Sequence, residues 1–258
     1  MKAITLHSIV PVRTEASERA EMCTQLLFGE TCSIVQEAEH WTRIKNDADA
    51  YEGWVDTKMI SRISNEAYAD LQAAPKAIVG FPISLAVSSE NSTSILLTGG
   101  TKLPNYANGE FQLLGITFRL DPSTVLMNET FSPERFMQIA IYYLNTPYLW
   151  GGKNALGIDC SGFVQVMMSI FGKDLPRDAS QQVEQGEVVA FLTEAQCGDL
   201  AFFENADGKI THVGILLDDK RIMHASGRVK ISAIDAQGIL SDEKDNYTHQ
   251  LRTIKRFV

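Results

Sequence analysis

The 258-residue chain contains no apolar run near the ~20 residues that cross a bilayer as a helix. Its longest candidate, Ala77 to Val87, is broken by Gly80, Pro82 and Ser84 and reads as core strand material, so no membrane span is expected. A basic surplus is also missing. The chain has 23 Lys and Arg against 32 Asp and Glu, and acidic residues outnumber basic ones on both sides of Thr130, 16 to 10 before it and 16 to 13 after. No nucleic-acid partner is expected from such a surface. Cysteine is scarce: Cys23, Cys32, Cys160 and Cys197 lack metal-type spacing, and no His-Glu-x-x-His occurs. Reduced thiols, no metal and no other cofactor are therefore expected. Met1 to His7 has one basic residue, no apolar core and no small-residue cleavage site, which predicts a cytoplasmic protein. A trimmed export signal would make it periplasmic instead. What is present is 45% apolar and 21% charged, a globular composition, at a length that suits one large or two to three small domains.

Up to about Thr130, short β-type runs are separated by turn residues: Thr31 to Val35, Trp41 to Ile44, Gly53 to Val55, Ile78 to Val87 and Phe111 to Leu120. An echo of Leu26-Leu27-Phe28-Gly29-Glu30-Thr31 in Leu96-Leu97-Thr98-Gly99-Gly100-Thr101 suggests two small β modules. Between them Asn65 to Ala74 reads as a short polar helix. The pattern changes at Ser132-Pro133-Glu134, an N-cap, a first-turn proline and an acidic first turn. Phe136, Ile139, Ala140, Tyr143 and Leu144 then mark one buried helix face. A second stripe, Phe163, Val166, Met167 and Ile170, is closed by Gly172. Strands are predicted at Asp199–Phe203, His212–Leu217, Arg221–Ala225, Val229–Ile234 and Leu251–Val258. The expected organisation is a β-barrel over 1–64, a linker helix and second small β domain over 65–130, and an α+β domain over 131–258.

Cys160 stands in Asp159-Cys160-Ser161-Gly162, where the second helical stripe begins. Unpaired N–H groups and the positive end of the helix dipole favour a thiolate there, so the sequence predicts a lowered thiol pKa and a nucleophile. A nucleophilic Cys needs a base and a group that orients the base. His7 and His40 lie in the β-rich half and His249 in a polar segment, whereas His212 and His224 sit on two successive strands joined by Asp218-Asp219-Lys220-Arg221. Facing partners in an antiparallel hairpin are ~4.5–5.5 Å apart, within reach of an imidazole–imidazole hydrogen bond. A zinc site using Cys160, His212 and His224 is the rival chemistry.

Asp159-Cys160-Ser161-Gly162-Phe163, Thr211-His212-Val213-Gly214-Ile215 and His224 together resemble the NlpC/P60 family of cysteine peptidases over residues 131 to 258. The resemblance implies a papain-like α+β domain, helices packed on an antiparallel sheet, preceded by all-β SH3-like barrels. It implies Cys160 as nucleophile, His212 as general base, His224 as the residue that orients it and Tyr148 as a hydroxyl near the oxyanion. Arg13, residues 21 to 30 and Gly53-Trp54-Val55 are similar to the bacterial SH3-type module of the γ-D-glutamyl-L-diamino acid endopeptidases. That subgroup takes murein peptides with a free amino-terminal L-Ala and cuts after γ-D-Glu. In Pro176-Arg177-Asp178-Ala179 the resemblance assigns the ammonium to Asp178. Arg177, Ser161, Asp159, Trp150, Tyr51 and Glu21 complete the implied substrate-binding set. A hydrolase of polymeric wall and a non-catalytic wall-peptide binder are the alternatives.

Cys160→Ala is expected to abolish turnover with folding intact, whereas Cys23→Ala, Cys32→Ala and Cys197→Ala keep it. Peptidase assays beside thermal melts check this; activity that survives the loss of Cys160 and dies with Cys197 would contradict it.

Overall fold

The computed structural model describes residues 1–241 and 246–258, which form two compact units, Met1–Glu129 and Thr130–Val258. The first opens with a seven-stranded antiparallel sheet. Its strand order is Met22–Leu27, Ile9–Arg13, Glu52–Asp56, Trp41–Asn46, Thr31–Glu37, Lys2–Ile4 and Ser61–Ile63. Alternating side chains turn Val10, Val12, Leu26, Ile44 and Val55 inward to form a small all-β core.

Helix α1 (Asn65–Ala73) follows, capped by Ser64, whose hydroxyl accepts the Ala67 N–H at 3.1 Å. None of its residues is fully buried: Leu71 packs on the core that follows, and Tyr68 lies under the Lys2 ammonium at 4.0 Å. Beyond it lie a four-stranded and a three-stranded sheet. Their core of Val79, Ala86, Leu97, Leu103, Phe111 and Phe118 also takes in Ile4 and Phe28. Phe111 and Phe118 stack at 5.1 Å, and Phe28 meets both edge-on at 6.2 and 5.6 Å. Residues 65–130 thus share a core with the strands before them. In the two echoed segments Leu27 and Leu97 are both buried, but the left-handed glycines are Gly29 and Gly100, so the repeat slips by one residue.

In the second unit Ser132 caps α2 (Pro133–Ala140) by accepting the Arg135 N–H at 3.1 Å. The predicted face continues differently from an α-helix: after Ala140 the chain tightens into a 3-10 turn, Ile141–Tyr143, which carries Tyr143 into the core and stops at Leu144. Helix α3 (Cys160–Ile170) is buried on more than the predicted stripe, since Val164, Gln165 and Met168 are covered as well and only Ser169 is not. It is the central helix of the unit, which explains its nearly unbroken apolar sequence. After the short α4 (Ala179–Gln182) come β1 (Glu187–Val189), β2 (Leu200–Glu204), β3 (Ile210–Leu216), β4 (Arg221–Ser226), β5 (Arg228–Ala233), β6 (Gly238–Leu240) and β7 (Tyr247–Arg256). They form one antiparallel sheet in the order β1-β7-β2-β3-β4-β5, with β6 also on β7. Strand β7 starts at Tyr247 rather than Leu251, which brings His249 into the sheet. Among the described residues no helix is long and apolar enough to cross a membrane.

Candidate active site

The N-terminus of α3 is fixed by one carboxylate. Asp159, the N-cap, accepts the Gly162 N–H at 2.7 Å through Oδ1 and the Gly151 N–H at 2.9 Å through Oδ2. Ser161 Oγ donates to Oδ1 at 3.3 Å. Arg177 adds a two-pronged ion pair, Nη1 to Oδ1 at 3.0 Å and Nη2 to Oδ2 at 2.5 Å, and Nη1 also reaches Ser161 Oγ at 2.8 Å. Arg177 is only 1% exposed. Position 162 must be glycine, because a Cβ would come within 2.3 Å of the Gly152 carbonyl oxygen in the preceding loop. This network holds Cys160 in place from below.

Opposite the thiol, Val213 of β3 donates its backbone N–H to the Cys160 sulfur, as does Ser161. The residue before Val213 is His212. Its Nε2 lies 2.8 Å from Nδ1 of His224, and Nε2 of His224 lies 3.1 Å from Ser232 Oγ on β5. With Nε2 occupied, Nδ1 is the nitrogen His212 keeps for the thiol. The hairpin turn is held by Asp218, which accepts the Lys220 N–H at 2.9 Å and pairs with Arg221 at 2.7 Å. The two histidines are not directly opposed, however. Pairing of Ile215 with Met223 and Leu216 with Ile222 sets a register that puts Gly214, not His212, across from His224. The imidazoles meet diagonally, and a Cβ at 214 would press to 2.8 Å from the His224 Cβ.

The electrostatics differ from the sequence expectation. Burial pushes the Cys160 thiol up to about 11, and the Asp159 carboxylate adds to it. The two N–H donors and Arg177 oppose this without prevailing. Burial, helped by His249 and His224, holds His212 well below the usual imidazole range. Both shifts favour the uncharged forms, a protonated thiol and a neutral imidazole. Tyr148 is raised by burial and then by Cys160 and Asp159, so its phenol keeps its proton and can donate. Its backbone N–H is tied to Gly227 O at 2.9 Å, and it lines a cavity of ≈ 240 Å³ with Thr211, His212, Ala225, Ser226, Gly227 and His249.

Of the remaining predicted residues, Asp159, Ser161 and Arg177 are buried and bonded to one another, so they fix the start of α3 at Cys160 rather than face a cavity. Asp178 is the N-cap of α4, its backbone N–H donating to Gln181 Oε1 at 3.1 Å. Trp150 is exposed on the loop after Tyr148. Tyr51 and Glu21 stand at the starts of two strands of the first unit, half-buried and exposed respectively. Ser232 carried no signal in the sequence, and His249 was set aside there as part of a polar segment. Residues Tyr247 and Thr248, both β-formers, were the signal that β7 reaches back to His249. Among the described residues no three His, Cys, Asp or Glu side chains are placed to hold a metal ion, and the near nitrogens of His212 and His224 face each other.

Residues 145–247 match the NlpC/P60 family and residues 12–60 the bacterial dipeptidyl-peptidase SH3 domain. The chain is 29% identical to the γ-D-glutamyl-L-lysine dipeptidyl-peptidase of Bacillus subtilis, over 83% of this chain and 77% of that protein. It is 28% identical to dipeptidyl-peptidase 6 of Lysinibacillus sphaericus, over 92% and 93%. A crystal structure of an NlpC/P60 family protein from Bacillus cereus superposes with a TM-score of 0.85 at 20% identity, covering 99% of both chains, and so shares the fold.

Two outcomes follow from this geometry. Replacing Arg177 by Met strands a buried carboxylate, and urea unfolding should register a loss of about 3–5 kcal/mol; a loss under ~1 kcal/mol would contradict the network's anchoring role. His212→Ala should cut kcat/KM by roughly 10⁴-fold, and His224→Gln by less, because an orienting group is partly replaceable. The reverse order would exchange their roles.

Proposed function

We propose that the chain, a cysteine peptidase of the NlpC/P60 family with a bacterial dipeptidyl-peptidase SH3 domain ahead of its catalytic domain, cleaves the γ-D-Glu–diamino acid bond of short murein peptides whose amino-terminal L-Ala is free. In this reading Cys160 Sγ attacks the γ-carbonyl carbon of D-Glu while its proton passes to His212 Nδ1. Tyr148 donates its hydroxyl to the developing oxyanion. The C–N bond then breaks, His212 returns the proton to the leaving amine, and L-Ala-D-Glu remains as a thioester on Cys160. Water, deprotonated by His212, hydrolyses that thioester and releases the dipeptide. Burial of the thiol suits this sequence: a protonated sulfur beside a neutral base is inert until a carbonyl arrives.

The observation that carries the specificity is the tether of Asp178. Its neighbour Arg177 is locked beneath the nucleophile, and Gln182 of the helix that Asp178 caps donates Nε2 to Ser161 O at 3.2 Å and to Pro176 O at 2.8 Å. The carboxylate is thereby anchored to the same few residues as Cys160, as an ammonium-binding group at the end of a dipeptide-sized acyl site must be. An acylated or sugar-linked terminus has no ammonium to pair with that carboxylate, so it forgoes a charge-assisted hydrogen bond that a free amino terminus makes. The activities named for the Bacillus and Lysinibacillus relatives agree with this reading.

Comparison of kcat/KM on free and N-acetylated L-Ala-γ-D-Glu-L-Lys should show at least a roughly thirtyfold preference for the free terminus. Asp178→Asn should erase most of that preference at unchanged stability, because Asn caps a helix about as well as Asp. Equal cleavage of both peptides, or rapid digestion of polymeric peptidoglycan, would favour a general wall hydrolase. Tight peptide binding without turnover would favour a binder.

A further inference from the structure

His249 has no role in the chemistry above, yet it lies against the general base. Its ring is stacked on His212, with centroids 4.1 Å apart and planes at 29°. It meets the edges of His224 at 5.8 Å and Phe203 at 5.9 Å, and it lines the same cavity as His212 and Tyr148. Thr248 Oγ1 donates to Ile239 O at 3.3 Å and lies 2.9 Å from His249 Nδ1. The Thr248 hydroxyl thus ties the Nδ1 edge of the ring to β6.

We propose that His249 is a positioning residue for the general base, holding the plane of the His212 ring by face-on contact, and that protonation of His249 is what switches the site off on the acid side. This rests on the reading of His212 as the base that takes the Cys160 proton. A planar ring at 4.1 Å leaves His212 one orientation, in which Nε2 meets His224 and Nδ1 is left for Cys160. The same contact couples the two rings electrically. Acylation requires His212 to become an imidazolium, and a second positive charge stacked on its face opposes that step.

Which ring takes the first proton follows from their surroundings. His212 is buried; the titratable groups around it are His224 of β4, His249 of β7, the Cys160 thiol of α3 and Tyr148 across the cavity. His249 is half-buried. Lys230 of β5 is the cation that acts on it, Tyr148 keeps its proton across the cavity, and Phe203 of β2 and Ile239 of β6 offer nothing that titrates. Desolvation weighs more on the deeper ring, so as pH falls His249 charges first, below the ordinary imidazole value of ~6.5.

Two variants separate the parts of the proposal. His249→Phe keeps a flat ring on His212 but cannot titrate, and His249→Ala removes the ring. With L-Ala-γ-D-Glu-L-Lys as substrate, His249→Ala should lower kcat about tenfold or more at every pH while KM changes little. His249→Phe should retain most of the neutral-pH rate, and the acid limb of its kcat/KM profile should move to lower pH by roughly one unit. Imidazole ¹⁵N shifts recorded against pH, without any peptide, give a readout independent of the substrate assignment. In the wild type His249 should titrate before His212. Melting curves confirm that each variant is folded. An acid limb unchanged by His249→Phe, or ¹⁵N shifts in which His212 charges first, would overturn the proposal. Failure of the tripeptide to be cleaved at all would instead overturn the substrate reading and leave the ¹⁵N result standing.

Discussion

The carboxylate of Asp159 accepts two backbone N–H groups and a serine hydroxyl and forms a two-pronged ion pair with Arg177, so one buried side chain joins three parts of the catalytic domain. It starts helix α3 at Cys160, ties down the glycine loop that follows Tyr148, and brings in the segment that carries Asp178. An ion pair this deep adds little net stability, because desolvation of both charges offsets most of their attraction. Its value is geometric. Arg177 spends its fork on Asp159 and Ser161, and the chain on either side of it has little freedom left.

That anchor has an electrical consequence at the sulfur. Asp159 stands next to Cys160, and its charge adds to burial in keeping the thiol protonated, with Arg177 compensating only in part. A helix N-terminus alone would favour the thiolate; burial first, and the capping carboxylate second, outweigh it here. On β3, burial likewise favours the uncharged His212 ring, which suits it to the base role proposed above. His224 and Ser232 fix that ring by its distal nitrogen, and His249 covers its face.

Much of this was legible in local sequence. Ser132-Pro133-Glu134 announced a helix because caps act over three or four residues, and Asp159-Cys160-Ser161-Gly162 announced a helix start for the same reason. The His212 and His224 strands and the turn between them were visible from alternation and from Asp218. What local pattern could not carry was anything set by distant neighbours. Arg177 looked like a ligand-binding charge because nothing in Pro176-Arg177-Asp178 reveals that the side chain turns inward to a carboxylate eighteen positions away. The thiol was expected to be acidic because burial, which reverses that outcome, is a property of the whole sheet and helix layer. His249 was passed over because β7 was read as beginning at Leu251, four residues late. The diagonal meeting of the two imidazoles depends on a ladder register that Gly214 permits and that no residue type specifies.

A covalent acyl-enzyme is the claim on which the proposed chemistry turns, and it can be seen directly. The protein is mixed with excess L-Ala-γ-D-Glu-L-Lys, quenched in acid within the first turnovers, digested and measured by mass spectrometry. The account predicts an L-Ala-D-Glu acyl group on the peptide that contains Cys160, lost on treatment with hydroxylamine as a thioester is. Turnover with no adduct at any quench time, or an adduct on another residue, would contradict it.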